Sequence, residues 1–280
     1  MHEPHGEHSY KDSFARAMSV PAWAAPLVAI GVISLIALVS KLVQYRRHCC
    51  RPKSVKLTYF LYPGRAEAIR VALAIGGVKF EDERLSVEDW KKHDKSCTPY
   101  GQLPVLYADG QPLAQSLAIL AYASTIAGLH KCCNTPLTYA KVYEIVFLVD
   151  EIFDALKPTY SMSHDEQISA RKALMGEGGA IARVWGHIEK RLERNAKEHK
   201  YVVTHMVTAA DVCVFCMAAM LSSGWLNGID KDFLKNYPHV RAHKAMVAQM
   251  PRVREFYGHL PQQTKAAWQQ AGIDIKAYQQ

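Results

Sequence analysis

Every segment with strand character in this chain falls between residues 55 and 115, and from Thr138 to about Leu260 only helical periodicity remains. That division restricts the fold to a small mixed α/β unit followed by an all-α unit. Alternating strand and helix patterns imply βαβ packing, whereas an unbroken series of helical patterns implies a bundle. VKLTYFLY (55–62) has the β-branched and aromatic content of a strand, AEAIRVALAIGG follows with helical period and stops at Gly76 and Gly77, and a second strand is expected around Phe80–Leu85. LPVLYADGQPLAQ (103–115) reads as a hairpin turning at Asp109-Gly110, and SLAILAYASTIAGL as the helix after it. The order is β-α-β, a loop, then β-β-α.

In the second half, YAKVYEIVFLVDEIFDAL, the stretch from Asp165 to His199, AADVCVFCMAAMLSS and HVRAHKAMVAQM carry helical patterning. Thr208 followed three residues later by Asp211 predicts a helix start, with hydroxyl and carboxylate satisfying each other's free backbone amides. A length of 280 residues accommodates two cores, since a domain takes roughly 100–200 residues. Hydrophobic residues at 49% against 21% charged exclude a disordered chain. Seven cysteines form no regular framework, and their odd number points to a reducing compartment. Cys213-Val-Phe-Cys216 has no second pair and sits in an apolar helical run, so both are read as small core residues. No metal is expected.

Residues 17–40 carry no charge, and Lys41, Arg46, Arg47, Arg51, Lys53 and Lys56 follow. A bilayer-crossing helix needs roughly 20 apolar residues, so the expectation is a tail over 1–17, a single transmembrane helix over 18–44 and a basic linker over 45–54. A cleaved signal peptide is the rival, disfavoured by the length of the run and by Glu3, Glu7 and Asp12 before it. The basic side is expected to be cytosolic, which makes the protein single-pass with its C-terminal domain facing the cytosol. Clustering of the +8 net charge at this edge favours a membrane over a nucleic-acid partner. Cys49 and Cys50 are palmitoylation candidates, and His2, His5 and His8 read as solvated residues rather than metal ligands.

KLTYF (56–60) with GRAE (64–67), EDW (88–90), YGQLPVL (100–106), QSLAI (115–119), Thr208-x-x-Asp211 and the ending YPHVRAHKAMVAQMPRV occur in order over about residues 54–265. As a set they resemble the soluble glutathione transferases, sigma class, which includes the glutathione-dependent prostaglandin D synthases. The resemblance implies a thioredoxin-like glutathione-binding domain over 55–130 and an all-helical domain over 136–265, with an additional C-terminal tail over 266–280. It also implies glutathione as co-substrate, a hydrophobic electrophile or lipid peroxide as its acceptor, and a homodimer.

Carried over by position, Tyr59 is the catalytic tyrosine whose hydroxyl donates to the glutathione sulfur. A free thiol titrates at about 8.5 and its anion is the nucleophile, so a fixed donor that favours the anion is chemically useful. A lone tyrosine in a strand otherwise simply packs. Arg65 is usually structural in that family and ranks second to Tyr59 among the catalytic candidates. For glutathione itself, Trp90 is placed at the glycyl end, Gln102 at a further contact, and the backbone of Leu103, before the cis-proline position Pro104, at the cysteinyl part. Gln115 and Ser116 are assigned to the γ-glutamyl carboxylate at a helix N-terminus. Asp150 and Asp154 share one helix face; either they form a surface pair, or Asp154 reaches across a dimer to the glutathione amine. Thr159 stands where the prostaglandin synthases carry a tryptophan, so prostaglandin chemistry is not expected. No Cys-x-x-Cys follows the first strand, which argues against thiol–disulfide exchange. The competing function is a transferase-like structural or accessory subunit of a larger membrane complex, suited by the anchor, the basic linker and the tail with its Trp268 and Tyr278.

Overall fold

The computed structural model describes residues 33–36, 38–40 and 51–280. The first two stretches are helical and belong to a unit ending at Arg51; the second unit runs from Pro52 to Gln280.

The expected membrane localisation is corrected. Among the described residues no helix is long and apolar enough to cross a membrane. Of the segment read as a span, 18–44, only the two short helical stretches are described. The rest of it, with His2, His5, His8, Cys49 and Cys50, lies outside the described residues. Among the described residues, then, no helix carries the single-pass topology, the cytosol-facing orientation or the membrane-complex partner.

The second unit opens with β1 (Val55–Phe60), a 3-10 turn (Gly64–Ala66), α1 (Glu67–Gly76), β2 (Glu81–Leu85), α2 (Val87–Lys92), β3 (Val105–Ala108), β4 (Gln111–Ala114) and α3 (Ser116–Ala127). The sheet order is β2-β1-β3-β4, with β1 parallel to β2 and antiparallel to β3, and β3 antiparallel to β4. Helices α1 and α3 pack on it, and Leu57, Ile69, Leu73, Leu106, Ile119 and Leu120 fill the interface. This is the thioredoxin-like arrangement. Asp109 and Gly110 turn the hairpin with φ of 49° and 80°, the pair of positive values that a two-residue turn between twisted strands requires.

The helical half comprises α4 (Pro136–Leu156), α5 (His164–Met175), α6 (Ala180–Asn195), α7 (Ala209–Ser222), α8 (Pro238–Ala248), α9 (Pro251–Gly258) and α10 (Gln262–Gln270), then a 3-10 turn (Ile275–Tyr278). The stretch from Asp165 to His199 is two helices, because the chain turns through Gly176–Gly179, with Gly178 at φ 74°. Helix α7 is buried on every side, as its uniformly apolar sequence demands. Its start is the expected capping box: Asp211 accepts from the Thr208 amide and hydroxyl, each at 2.8 Å, and its other oxygen accepts from Val202 N at 2.9 Å and pairs with His243 Nε2 at 2.9 Å. All four groups need that one carboxylate, which is itself fully buried. Cys213 and Cys216 lie in the core as expected.

The tail beyond residue 265 packs into the core. Trp268 and Tyr278 are fully buried against Tyr257.

Candidate functional site

Strand β1 places Tyr59 at its C-terminal end, opposite Arg84 in β2. The Tyr59 hydroxyl accepts from the backbone amide of Arg65 at 3.2 Å, which closes the turn through Leu61–Gly64 and leaves the hydroxyl's own proton free to donate. Burial raises the Tyr59 pKa, against the pull of the Arg65 amide and the charges of Arg70 and Arg65, so the phenol keeps its proton at neutral pH. Gly64 makes the close approach possible. Its φ is +49°, and a Cβ there would stand 2.8 Å from the Tyr59 oxygen, closer than any side chain tolerates.

A buried ion network fixes the turn from behind. Arg70, fully buried, donates to the carbonyls of Phe60 (3.1 Å) and Tyr62 (3.3 Å) and pairs with Glu67 (3.1 Å) and Asp82 (2.9 Å). Burial pulls the Arg70 pKa down, but Asp82 and Glu67 more than offset it and the net direction is upward. Arg84 donates to the Leu61 carbonyl at 3.2 Å and pairs with Asp82 at 2.7 Å. Glu67 in turn accepts from the Tyr257 hydroxyl at 2.9 Å, joining α1 to α9.

In front of the turn opens a cleft of about 510 Å³. It collects every residue named from the sequence except Tyr59: Arg65, Trp90, Gln102, Leu103, Pro104, Gln115, Ser116 and Asp154. The Leu103–Pro104 bond is cis. Gln115 adopts φ 70°, ψ 113°, a costly backbone conformation of the kind that clusters at ligand sites, and directly after it α3 begins at Ser116. The first amides of α3 have no intrahelical acceptor, which makes this end of the cleft a place for an anion. At the opposite wall Trp90 stands edge-on to Phe60, with His93 stacked on it and the Lys95 ammonium 5.8 Å from its ring.

Arg65 bridges the two halves of the unit. Its guanidinium pairs with Asp150 at 2.6 Å and Asp154 at 3.2 Å and lies 4.7 Å from the Phe153 ring. Burial raises the Asp150 carboxyl pKa, with Arg65 pulling the other way. The surface-pair alternative for the two aspartates is thus replaced by an ion triad within one chain, and Asp154, largely exposed, borders its own chain's cleft. Asp150, Lys157, Phe60, Tyr100 and Gly101 also line the cleft and were not singled out as site residues from the sequence. The spacing 150, 154, 157 on α4 and the residue after it follows one helix face and is the signal that would have found Lys157.

Thr159 is buried; its hydroxyl accepts from Arg171 Nε at 3.0 Å and donates to the Leu156 carbonyl at 2.7 Å.

Comparison with known proteins agrees with this geometry. Residues 55–125 match the family "Glutathione S-transferase, N-terminal domain" and residues 153–259 match "Glutathione S-transferase, C-terminal domain". Glutathione S-transferase 1 of Ascaris suum is 32% identical over 209 residues, covering 74% of this chain and 96% of the relative. Hematopoietic prostaglandin D synthase of Gallus gallus is 32% identical over 199 residues, covering 71% and 92%. Among solved structures, the glutathione S-transferase from Ascaris lumbricoides superposes with a TM-score of 0.63 at 29% identity over 75% of this chain and 99% of that one. A monomeric glutathione S-transferase of the hookworm Necator americanus gives 0.61 at 26% identity, over 75% and 98%. The chain belongs to the glutathione S-transferase family. It is a glutathione transferase with glutathione as co-substrate.

Proposed function

We propose that the protein joins glutathione to hydrophobic electrophiles, or reduces lipid hydroperoxides with it, using Tyr59 to hold the thiolate. The observation that carries this reading is the Tyr59 hydroxyl, with its lone pair taken by the Arg65 amide and its proton free. Glutathione lies along the cleft, its γ-glutamyl carboxylate at the start of α3 by Gln115 and Ser116. Its cysteinyl part runs along the Leu103 backbone before Pro104, and its glycyl end meets Trp90, with Gln102 between. The thiol gives its proton to solvent, the anion accepts from Tyr59, and the sulfur attacks the electrophilic carbon as the leaving group departs with the bonding electrons. Arg65 acts through its backbone amide, which holds the Tyr59 hydroxyl, while Asp150 and Asp154 hold its guanidinium.

The test uses the full chain with chlorodinitrobenzene, whose chloride is displaced by a thiolate, and calorimetric titration with glutathione. Glutathione binding with turnover is expected, and Ser116→Ala is expected to raise the glutathione Kd about 10- to 150-fold, the worth of one hydrogen bond to a charged group at about 1.5–3 kcal/mol. A chain that neither binds glutathione nor turns over sinks the reading. Relatives named as prostaglandin D synthases raise prostaglandin D synthesis as a second chemistry. The resemblance implies an aromatic ring where this chain has Thr159, whose hydroxyl is already engaged by Arg171, and the reading stays with conjugation and reduction.

A homodimer is part of the same proposal. It is supported by Leu137 and Phe147, apolar side chains that stand 64% and 58% exposed on α4, and in such a dimer Asp154 of one subunit would approach the other's glutathione amine. Sedimentation is expected to give twice the 31.4 kDa chain mass, and Phe147→Glu is expected to give the monomer. A wild-type monomer, like the monomeric hookworm glutathione S-transferase, removes the dimer while leaving the chemistry standing.

A further inference from the structure

The turn that closes on Tyr59 is held at three successive carbonyls, and one of the clamps comes from the far end of the chain. Phe60 O and Tyr62 O are bound by Arg70, but Leu61 O accepts two bonds, from Arg84 at 3.2 Å and from Trp268 Nε1 at 2.9 Å. Trp268 sits on α10, 207 residues from Leu61, beyond residue 259 where the matched C-terminal family segment ends. Its indole is packed 5.1 Å from the Tyr278 ring and 6.5 Å from Tyr257. The tail that carries it is anchored by the Asp274 amide on Ser223 O at 2.9 Å and by the Lys244 ammonium on Gln280 O at 3.0 Å. A buried indole N–H finds a partner wherever it can. Here the partner is the backbone of the turn whose closure aims the Tyr59 hydroxyl.

We propose that Trp268 is a positioning residue: through its bond to the Leu61 carbonyl, the C-terminal tail fixes the turn between Tyr59 and Arg65 and so aims the tyrosine hydroxyl at the glutathione sulfur. The proposal rests on the reading of Tyr59 as the thiolate's donor. The tail acts as a strap, and the catalytic turn of this chain is braced from outside the segment it shares with the matched family. Catalytic hydrogen bonds respond steeply to position, and a displacement of about 1 Å can cost up to about 100-fold in rate. Loosening a single clamp while Arg84 remains should cost less.

The test compares Trp268→Phe and Tyr278→Phe in the full chain. Trp268→Phe keeps an aromatic ring in the core and removes only the donor and part of the volume. Its kcat is expected to fall about 10-fold with glutathione KM within about twofold, and the rising limb of kcat against pH to move to higher pH because the thiolate is held less well. Tyr278→Phe removes a hydroxyl that is buried without a partner. It is expected to leave kcat and the pH profile unchanged and the melting temperature equal or higher. Should Trp268→Phe not fold, Tyr278→Leu, which removes the ring that holds the indole, is expected to move kcat and the pH limb in the same directions.

An unmoved pH limb and kcat in Trp268→Phe, with only a lower melting temperature, would make the tryptophan a core filler and overturn the proposal. Equal loss of kcat in Tyr278→Phe overturns it as well, by showing general loosening. If Tyr59→Phe itself leaves the limb in place, the reading of Tyr59 has failed and the strap has nothing to aim. If Tyr59→Phe moves it and Trp268→Phe does not, the strap alone is wrong.

Discussion

Tyr59→Phe is expected to lower kcat by about 100- to 1,000-fold, the effect of removing one donor worth on the order of 2.7–4 kcal/mol to a developing anion, while leaving glutathione affinity nearly unchanged. The ring keeps its packing on Phe60, with centroids 5.2 Å apart, and its place 5.7 Å from the Arg70 guanidinium, so the strand has no reason to move. What disappears is the O–H and the acceptor for the Arg65 amide. The second loss costs about 1 kcal/mol of stability, too little to unfold the chain. Steady-state kinetics with chlorodinitrobenzene, alongside glutathione calorimetry and a melting curve, separate the contributions. A variant with wild-type kcat would take Tyr59 out of the mechanism.

The largest effect on stability is expected at Arg70. Replacing it with methionine keeps much of the volume but strands Glu67 in the interior, frees one side of Asp82 and leaves the Phe60 and Tyr62 carbonyls without their donor. Removing one partner of a buried ion pair costs about 3–5 kcal/mol, because the remaining charge stays desolvated. At roughly 2–4 °C per kcal/mol for a unit of this size, the melting temperature should fall by roughly 6–20 °C. Glu67→Gln combined with Arg70→Met should recover part of that loss, since the stranded charge is then gone. Chemical denaturation of the single and double variants measures both. A single variant as stable as wild type would mean that the network holds the turn without contributing to folding.

Much of the architecture was legible locally. Strand and helix periods, the Gly76-Gly77 stop, the Asp109-Gly110 turn and the Thr208–Asp211 cap are all decided within a few residues by backbone sterics and short-range hydrogen bonds, and the structure has each of them. Most of the cleft was legible too, because the motifs that line its sheet side lie on the short connections of one βαβ-ββα unit. The break at Gly176–Gly179, which divides what read as one helical stretch, was the local feature missed.

The amino-acid sequence by itself determined where β1 and α3 begin and where the β3–β4 hairpin turns, and with them the elements that carry Tyr59, Pro104 and Ser116. Only the tertiary structure decided that Arg65 pairs with Asp150 and Asp154, 85 and 89 residues away, that Glu67 meets Tyr257 across 190 residues, and that Trp268 bonds the Leu61 carbonyl across 207. No local pattern encodes those meetings. They follow from how α4, α9 and α10 come to lie against the sheet-bearing half, which is set by burying apolar faces and satisfying every buried donor and acceptor at once. That requirement involves the whole packed unit and has no counterpart in any short stretch of the chain.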